Sequence, residues 1–170
     1  FGNRGRGLLD AYRADPSVWI KIGTLSKAIG CTGGYVAGSH LLCDTLLHRA
    51  RTLIFSTALP PAILGAAAKS IQLIQNMDDQ RLKLLELSSY LRKELNLRGF
   101  RTTADTTPII PLYVHDPHEA LRLSEKLLDA GIFVPAIRPP TVPPNGCLLR
   151  ISLNSDHTHE DCQQLLDALV

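Results

Sequence analysis

The segment 79–97 sets the tightest limit on what this chain can become. Leu84, Leu87, Leu91 and Leu95 recur at helical spacing, so a helix there carries one apolar stripe along its length and ends near Gly99. A stripe of that length has to be buried against other elements. The sequence beyond it supplies them: 108–114, 133–137 and 148–153 read as strands, and 117–130 and 158–169 as helices. Strands interleaved with helices fit a small α/β or α+β domain. The domain change therefore falls at this helix, giving an expected division into 1–78 and 79–170.

Ahead of it, 18–22 and 35–37 read as short strands and 52–55 as a third. Leu41, Leu42, Thr45, Leu46 and Arg49 recur at helical spacing behind a Ser39 cap. Pro60 and Pro61 suit the start of a helix running to about residue 77. The small residues Ala62, Gly65, Ala66, Ala67 and Ala68 permit close packing along it. With 18 basic and 16 acidic residues mixed along the chain, for a net charge of +2, no basic stripe points to nucleic acid. Cys31, Cys43, Cys147 and Cys162 have neither zinc-site nor disulfide-scaffold spacing, so reduced thiols and no metal are expected. The most apolar stretch, 58–68, is too short to cross a bilayer and is interrupted by Pro60, Pro61 and Gly65.

Between the first two expected strands lies Lys21-Ile22-Gly23-Thr24-Leu25-Ser26-Lys27-Ala28-Ile29-Gly30-Cys31-Thr32-Gly33-Gly34-Tyr35. It combines hydroxyls, one lysine and closely spaced glycines. No Gly-Lys-Ser/Thr follows the glycines, as a P-loop requires, and the dinucleotide Gly-x-Gly-x-x-Gly spacing is absent. A lysine amine attacks a carbonyl only when deprotonated, and partial burial in an apolar turn or a Schiff base with an aldehyde cofactor provides for that. Thr24 and Ser26 offer hydroxyls to a phosphate, or alternatively bond nearby backbone in a turn. Motif mechanics alone leave a solvated loop lysine and a cofactor-bearing lysine both open.

Five ordered blocks carry a resemblance that nearly spans the chain: Thr24-Leu25-Ser26-Lys27-Ala28, Gly33-Gly34-Tyr35-Val36-Ala37-Gly38, Phe55-Ser56-Thr57-Ala58-Leu59-Pro60-Pro61, Ala136-Ile137-Arg138-Pro139-Pro140-Thr141-Val142-Pro143 and Leu149-Arg150-Ile151-Ser152. Together they resemble the 8-amino-7-oxononanoate synthases, a branch of the α-oxoamine synthases. The resemblance implies an α/β chain of the fold-type I transferases that depend on pyridoxal 5'-phosphate. Residues 1–78 would be the C-terminal part of a cofactor-binding large domain with a parallel-type sheet, and 79–170 an α+β small domain. It covers the second part of the family's chain, so a C-terminal fragment is expected, one that lacks the residues gripping the cofactor ring and has no turnover alone.

By that resemblance Lys27 carries the cofactor and Thr24 contacts its phosphate. Ser56 and Thr57 reach the phosphate held by the other subunit of a homodimer, or else make ordinary strand-end hydrogen bonds. Arg150 holds the amino-acid carboxylate and Thr141 contacts substrate. Arg138 is the other guanidinium placed for a carboxylate, since a planar fork makes two parallel charge-assisted bonds; for both arginines a surface ion pair is the alternative. The implied reaction is decarboxylative condensation of L-alanine with a pimeloyl thioester, in biotin synthesis and in the cytoplasm, with no nucleic-acid or membrane partner. The rivals are 2-amino-3-ketobutyrate CoA ligase, 5-aminolevulinate synthase or a noncatalytic partner subunit.

His157-Thr158-His159-Glu160-Asp161 contains metal-ligand residue types, but Thr158 followed by Asp161 ahead of Leu165, Leu166 and Leu169 matches a capping box. A helix start is the expectation there. His115 and His118, flanking Asp116-Pro117 at another expected helix start, read as solvated.

Overall fold

A computed structural model describes residues 1–14 and 20–170. The chain divides into two compact units, Phe1–Asp78 and Asp79–Val170. The first opens with a 3-10 turn over Asn3–Gly5 and the one-turn helix α1 (Leu8–Ala11). Strands β1 (Lys21–Thr24) and β2 (Gly34–Ala37) pair antiparallel, with Lys21 opposite Ala37 and Thr24 opposite Gly34. Val18 and Trp19 of the strand expected at 18–22 lie outside the described residues. The α/β class holds, but the parallel-type sheet expected for this unit is corrected to an antiparallel pair. Its physical reason is the link over residues 25–33, too short for a crossover connection of about a dozen residues or more.

Helix α2 (His40–Arg49) starts as read, Ser39 Oγ accepting from Leu42 N at 3.2 Å. The strand expected at 52–55 is instead the short helix α3 (Arg51–Ile54). Leu53 N and Ile54 N both donate to Ala50 O, at 2.9 and 3.0 Å, and Phe55 N donates to Arg51 O at 3.0 Å. Thr52 and Ile54 favour extended backbone, but among the described residues no strand pairs with this stretch, so local turns satisfy the backbone. Helix α4 (Pro61–Ile74) follows, with proline at its first position, where the missing N–H costs nothing. Only Leu25 and Ala67 of this unit's described apolar residues are buried, while Ile22, Leu41 and Phe55 are each nearly four-fifths exposed.

The long helix α5 (Asp78–Leu97) starts at the last residue of the first unit and otherwise belongs to the second, which continues through β3 (Ile109–His115), α6 (Pro117–Asp129), β4 (Ala136–Ile137), β5 (Cys147–Ser152) and α7 (His159–Leu169). Its sheet is antiparallel in the order β3-β5-β4. The strand expected at 133–137 shortens to two residues because Pro135 has no N–H for the ladder, although its carbonyl accepts from Arg150 N at 3.0 Å. Along β5 the alternation places Cys147, Leu149 and Ile151 inward, where Leu91, Leu95, Ile110, Leu112, Leu127 and Leu166 complete a closed core. The α5 stripe is thereby covered.

Arg92, one position beyond Leu91, is buried and ties the loop after α5 to the helix. Its Nη1 donates to Ser88 Oγ, and its Nη2 to Asp105 Oδ1 at 2.6 Å and Ile109 O at 2.9 Å. Ser88 Oγ donates in turn to Thr107 O at 2.6 Å. The nearby Thr103 side chain, hydrogen bonds from the backbone and side chain of Thr107 at 2.9 Å each, and the Arg92 charge pull the Asp105 carboxyl down to about 2. Among the described residues no helix is long and apolar enough to cross a membrane.

Candidate active site

The Lys27 loop is fixed at its base by the strands and inside by its own backbone. Leu25 N donates to Gly33 O at 2.9 Å, Cys31 N to Leu25 O at 2.7 Å, and Gly30 N to Lys27 O at 2.9 Å, so Lys27 opens a tight turn that Gly30 closes. Gly30 has φ of 71° and Gly33 φ of 107°, a region costly for any side chain. At Gly33 a Cβ would also meet the Leu59 side chain at 2.5 Å, and at Gly23 the Tyr35 ring at 2.5 Å. Gly30 is thus required by its backbone conformation, Gly23 by the packed Tyr35 ring, and Gly33 by both its conformation and the Leu59 side chain.

Thr24 and Ser26 share a hydrogen bond of 2.7 Å between their hydroxyls, and Ser26 N donates to Thr24 Oγ1 at 3.1 Å. Both hydroxyls lie on the exposed side of the loop with Lys27. The partial burial expected for Lys27 is not present in this chain: its side chain is exposed, and the buried member of the loop is Leu25. Ser56 and Thr57 are exposed in the irregular segment between α3 and α4. Leu59, two residues on from Thr57, packs over Gly33 and ties that segment to the Lys27 loop. The structure thus brings Thr24, Ser26 and Lys27 together and anchors the Ser56-Thr57 segment beside them.

In the second unit Arg150 is exposed on β5, opposite Pro111 of β3, on the face turned away from the core. Arg138 follows β4 directly and is also exposed; its carbonyl accepts from Thr141 N at 3.0 Å, closing a turn that positions Thr141. Since Ile137 pairs with Leu148, Arg150 sits on β5 and Arg138 just past the end of the neighbouring strand β4. The 157–161 run is a full capping box: Asp161 N donates to Thr158 Oγ1 at 3.2 Å and Thr158 N to Asp161 Oδ2 at 2.8 Å. These bonds, led by the Thr158 backbone donor, lower the Asp161 carboxyl from its ordinary range. Among the described residues no group of three or more His, Cys, Asp or Glu side chains gathers as a metal would need. Burial pushes the Cys162 thiol up to about 11, which leaves it a packing residue.

Two contributors were not singled out from sequence. Leu59 had no signal beyond a glycine facing it. Arg92 had one: Ser88 and Arg92 are four residues apart on the same helical face as Leu91 and Leu95, where a solvated arginine is out of place.

Aminotransferase class I and II is the family that matches residues 4–169. An 8-amino-7-oxononanoate synthase of Lysinibacillus sphaericus is 43% identical over 168 residues, which cover 99% of this chain and 43% of that protein. The chain therefore spans less than half the length of that relative. A crystal structure of 8-amino-7-oxononanoate synthase from Francisella tularensis matches with a TM-score of 0.88 at 30% identity, covering 99% of this chain and 50% of that one. A structure described as SPT with a PLP internal aldimine matches with a TM-score of 0.93 at 30% identity, covering 99% and 43%. With nearly every residue matched, this chain belongs to the class I and II aminotransferase family.

Proposed function

We propose that this chain is the lysine-bearing part of an 8-amino-7-oxononanoate synthase, which joins L-alanine to a pimeloyl thioester. The observation that carries this is the 43% identity to a synthase of that name across 99% of the chain, with the Thr24-Leu25-Ser26-Lys27 loop built as a rigid, open turn. Fold alone does not choose the substrate, since the SPT structure matches at least as well as the Francisella synthase. The residues present fit pyridoxal 5'-phosphate. An exposed amine stands next to paired hydroxyls, and three residues on, at Gly30, the backbone carries no Cβ and has open space beside it. When bound, that group supplies an aldehyde for amines and a ring that draws electrons from the substrate Cα.

In this reading Lys27 Nζ holds the cofactor at rest, then takes the Cα proton of alanine as general base. Thr24 holds the phosphate, with Ser56 and Thr57 serving the phosphate of a second subunit in a homodimer. Arg150 fixes the alanine carboxylate by a bidentate pair, Thr141 contacts substrate, and Arg138 is a second carboxylate partner. The Cα–acyl bond forms as the thioester C–S bond breaks, releasing the thiol. The Cα–carboxylate bond then breaks, the original carboxylate leaves as carbon dioxide, and the electron pair left on Cα takes up the proton that Lys27 Nζ had removed, while solvent protonates the departing thiolate. A cytoplasmic setting goes with the same reading, as do the domain roles of 1–78 and 79–170. The test is carbon dioxide release by the enzyme containing this chain. Alanine with pimeloyl thioester should be turned over, glycine with acetyl-CoA or succinyl-CoA much less, and Lys27→Ala should lower the rate by about 10³-fold or more and abolish the borohydride-trapped cofactor adduct. Preference for glycine, or trapping at another lysine, would overturn the assignment.

A further inference from the structure

The first unit holds a cleft of about 550 Å³ beside the Lys27 loop that the roles above leave unused. Its lining joins the apolar Leu25, Ala28, Ile29, Ile71 and Ile74 and the Tyr35 ring to the polar Arg4, Arg6 and Gln75. Ala28 and Ile29 directly follow Lys27, so the cleft begins at the loop that carries the proposed chemistry. Arg4 has φ of 52° and Gly5 φ of 71°, which bends the segment so that both Arg4 and Arg6 line the cleft. Arg4 Nε donates to Gln75 O, the C-cap carbonyl of α4, at 3.5 Å. The acid of the same segment, Asp10, accepts from Asn3 N at 2.7 Å.

We infer that this cleft takes an acyl chain ending in a carboxylate, the methylenes lying on Leu25, Ile29, Ile71 and Ile74 and the carboxylate meeting Arg4 and Arg6. Two guanidiniums in the lining of an otherwise largely apolar cleft complement both parts of that ligand class. The planar forks suit a carboxylate, and the wall rewards each methylene removed from water. A lone phosphate would leave the wall unused, and an uncharged chain would leave the arginines unused. The inference rests on the synthase reading and deepens it: Arg4 and Arg6 become the positions that select a dicarboxylic acyl group over a simple fatty one.

The test compares pimeloyl thioester with heptanoyl thioester, of equal length without the far carboxylate, in the enzyme containing this chain. Arg4→Met with Arg6→Met should cut kcat/KM for the pimeloyl substrate by about 10- to 100-fold while leaving the heptanoyl value unchanged, with Arg→Lys at both sites keeping part of the preference. A parallel fall for both thioesters, or no change in either, would overturn the inference while the synthase reading stands. Titrating pimelate against labelled isoleucine methyls supplies a readout independent of turnover. Shifts at Ile29, Ile71 and Ile74 that vanish in the double Met variant support the inference. Their absence in the unsubstituted protein, as when other polypeptide fills the cleft, overturns it even where condensation fails for other reasons.

Discussion

The two units solve opposite problems. The second closes a core: α5, α6 and α7 cover one face of β3-β5-β4, and Leu91, Leu95, Ile110, Leu112, Leu149 and Leu166 are sealed from water. The first buries only Leu25 and Ala67 among its described apolar residues, and its sheet is a single antiparallel pair. Yet the first carries the better defined loop, because the Lys27 turn is set by hydrogen bonds and by glycines pressed against Leu59 and Tyr35. Local geometry and global stability are thus supplied by different physics. A turn can be specified by a few backbone bonds, whereas a cooperative fold needs apolar area that the first unit leaves outside.

The widest expected difference lies in amide protection. Hydrogen exchange on this 170-residue chain should show amides of α5, β3 and β5 opening only with unfolding of the second unit, and those of β1 and β2 exchanging at least about a thousandfold faster. A two-stranded sheet with exposed faces is marginal in water, while a covered three-stranded sheet is not. Equal protection in the two sheets would break the contrast, and would mean that the apolar surface of the first unit is covered in solution.

A smaller effect sharpens the account of the second unit. Arg92→Met removes the donors to Ser88, Asp105 and Ile109 while keeping the aliphatic stem. It should cost about 1–3 kcal/mol in denaturant melts, near the range for lost charged hydrogen bonds rather than a fully buried pair, because the Asp105 side chain is 44% exposed. The same loop predicts an acid dependence. Asp105 titrates at about 2 in the fold against an ordinary 3.8, so its contribution is present above about pH 4 and is lost as pH falls toward 2. Asp105→Asn should flatten stability against pH across that window. An unaltered slope would remove the Arg92–Asp105–Thr107 cluster as its source.

How far the sequence could be read follows the same division. Where apolar spacing meets a partner, as in α5 with Leu87, Leu91 and Leu95, the element and its buried face were legible, since one period has one packed solution. Caps at Ser39 and Thr158 were legible because a hydroxyl and a donor three residues on suffice. The segment 52–55 was misread because its β-branched residues signal extension, while the outcome depends on whether a pairing strand is present. The sheet direction in the first unit depended on the length of the link between strands, which the Lys27 motif obscured. At the site, residue types pointed to Lys27 and Thr24. The exposure of Lys27 and the weight of Leu59 on Gly33 depend on three-dimensional packing that no spacing encodes.

The smallest effect tests whether a local device in the second unit is worth as much as the contrast requires. Thr158 caps α7 through its hydroxyl, which accepts from Asp161 N at 3.2 Å and donates to Asp161 Oδ2 at 3.0 Å, while its backbone N–H donates to the same carboxylate at 2.8 Å. Thr158→Ala removes the two hydroxyl bonds and leaves the backbone one. The loss should therefore lie at about 0.5–1 kcal/mol, the lower part of the range for cap deletion, and Thr158→Ser should restore it. Because α7 packs Leu165, Leu166 and Leu169 into the core, this cost should appear as a lower midpoint of the whole second unit with its cooperativity unchanged. Exchange confined to the first turn of α7 with no shift in the midpoint would instead show that the helix frays independently, and that the closed core tolerates a loosened end.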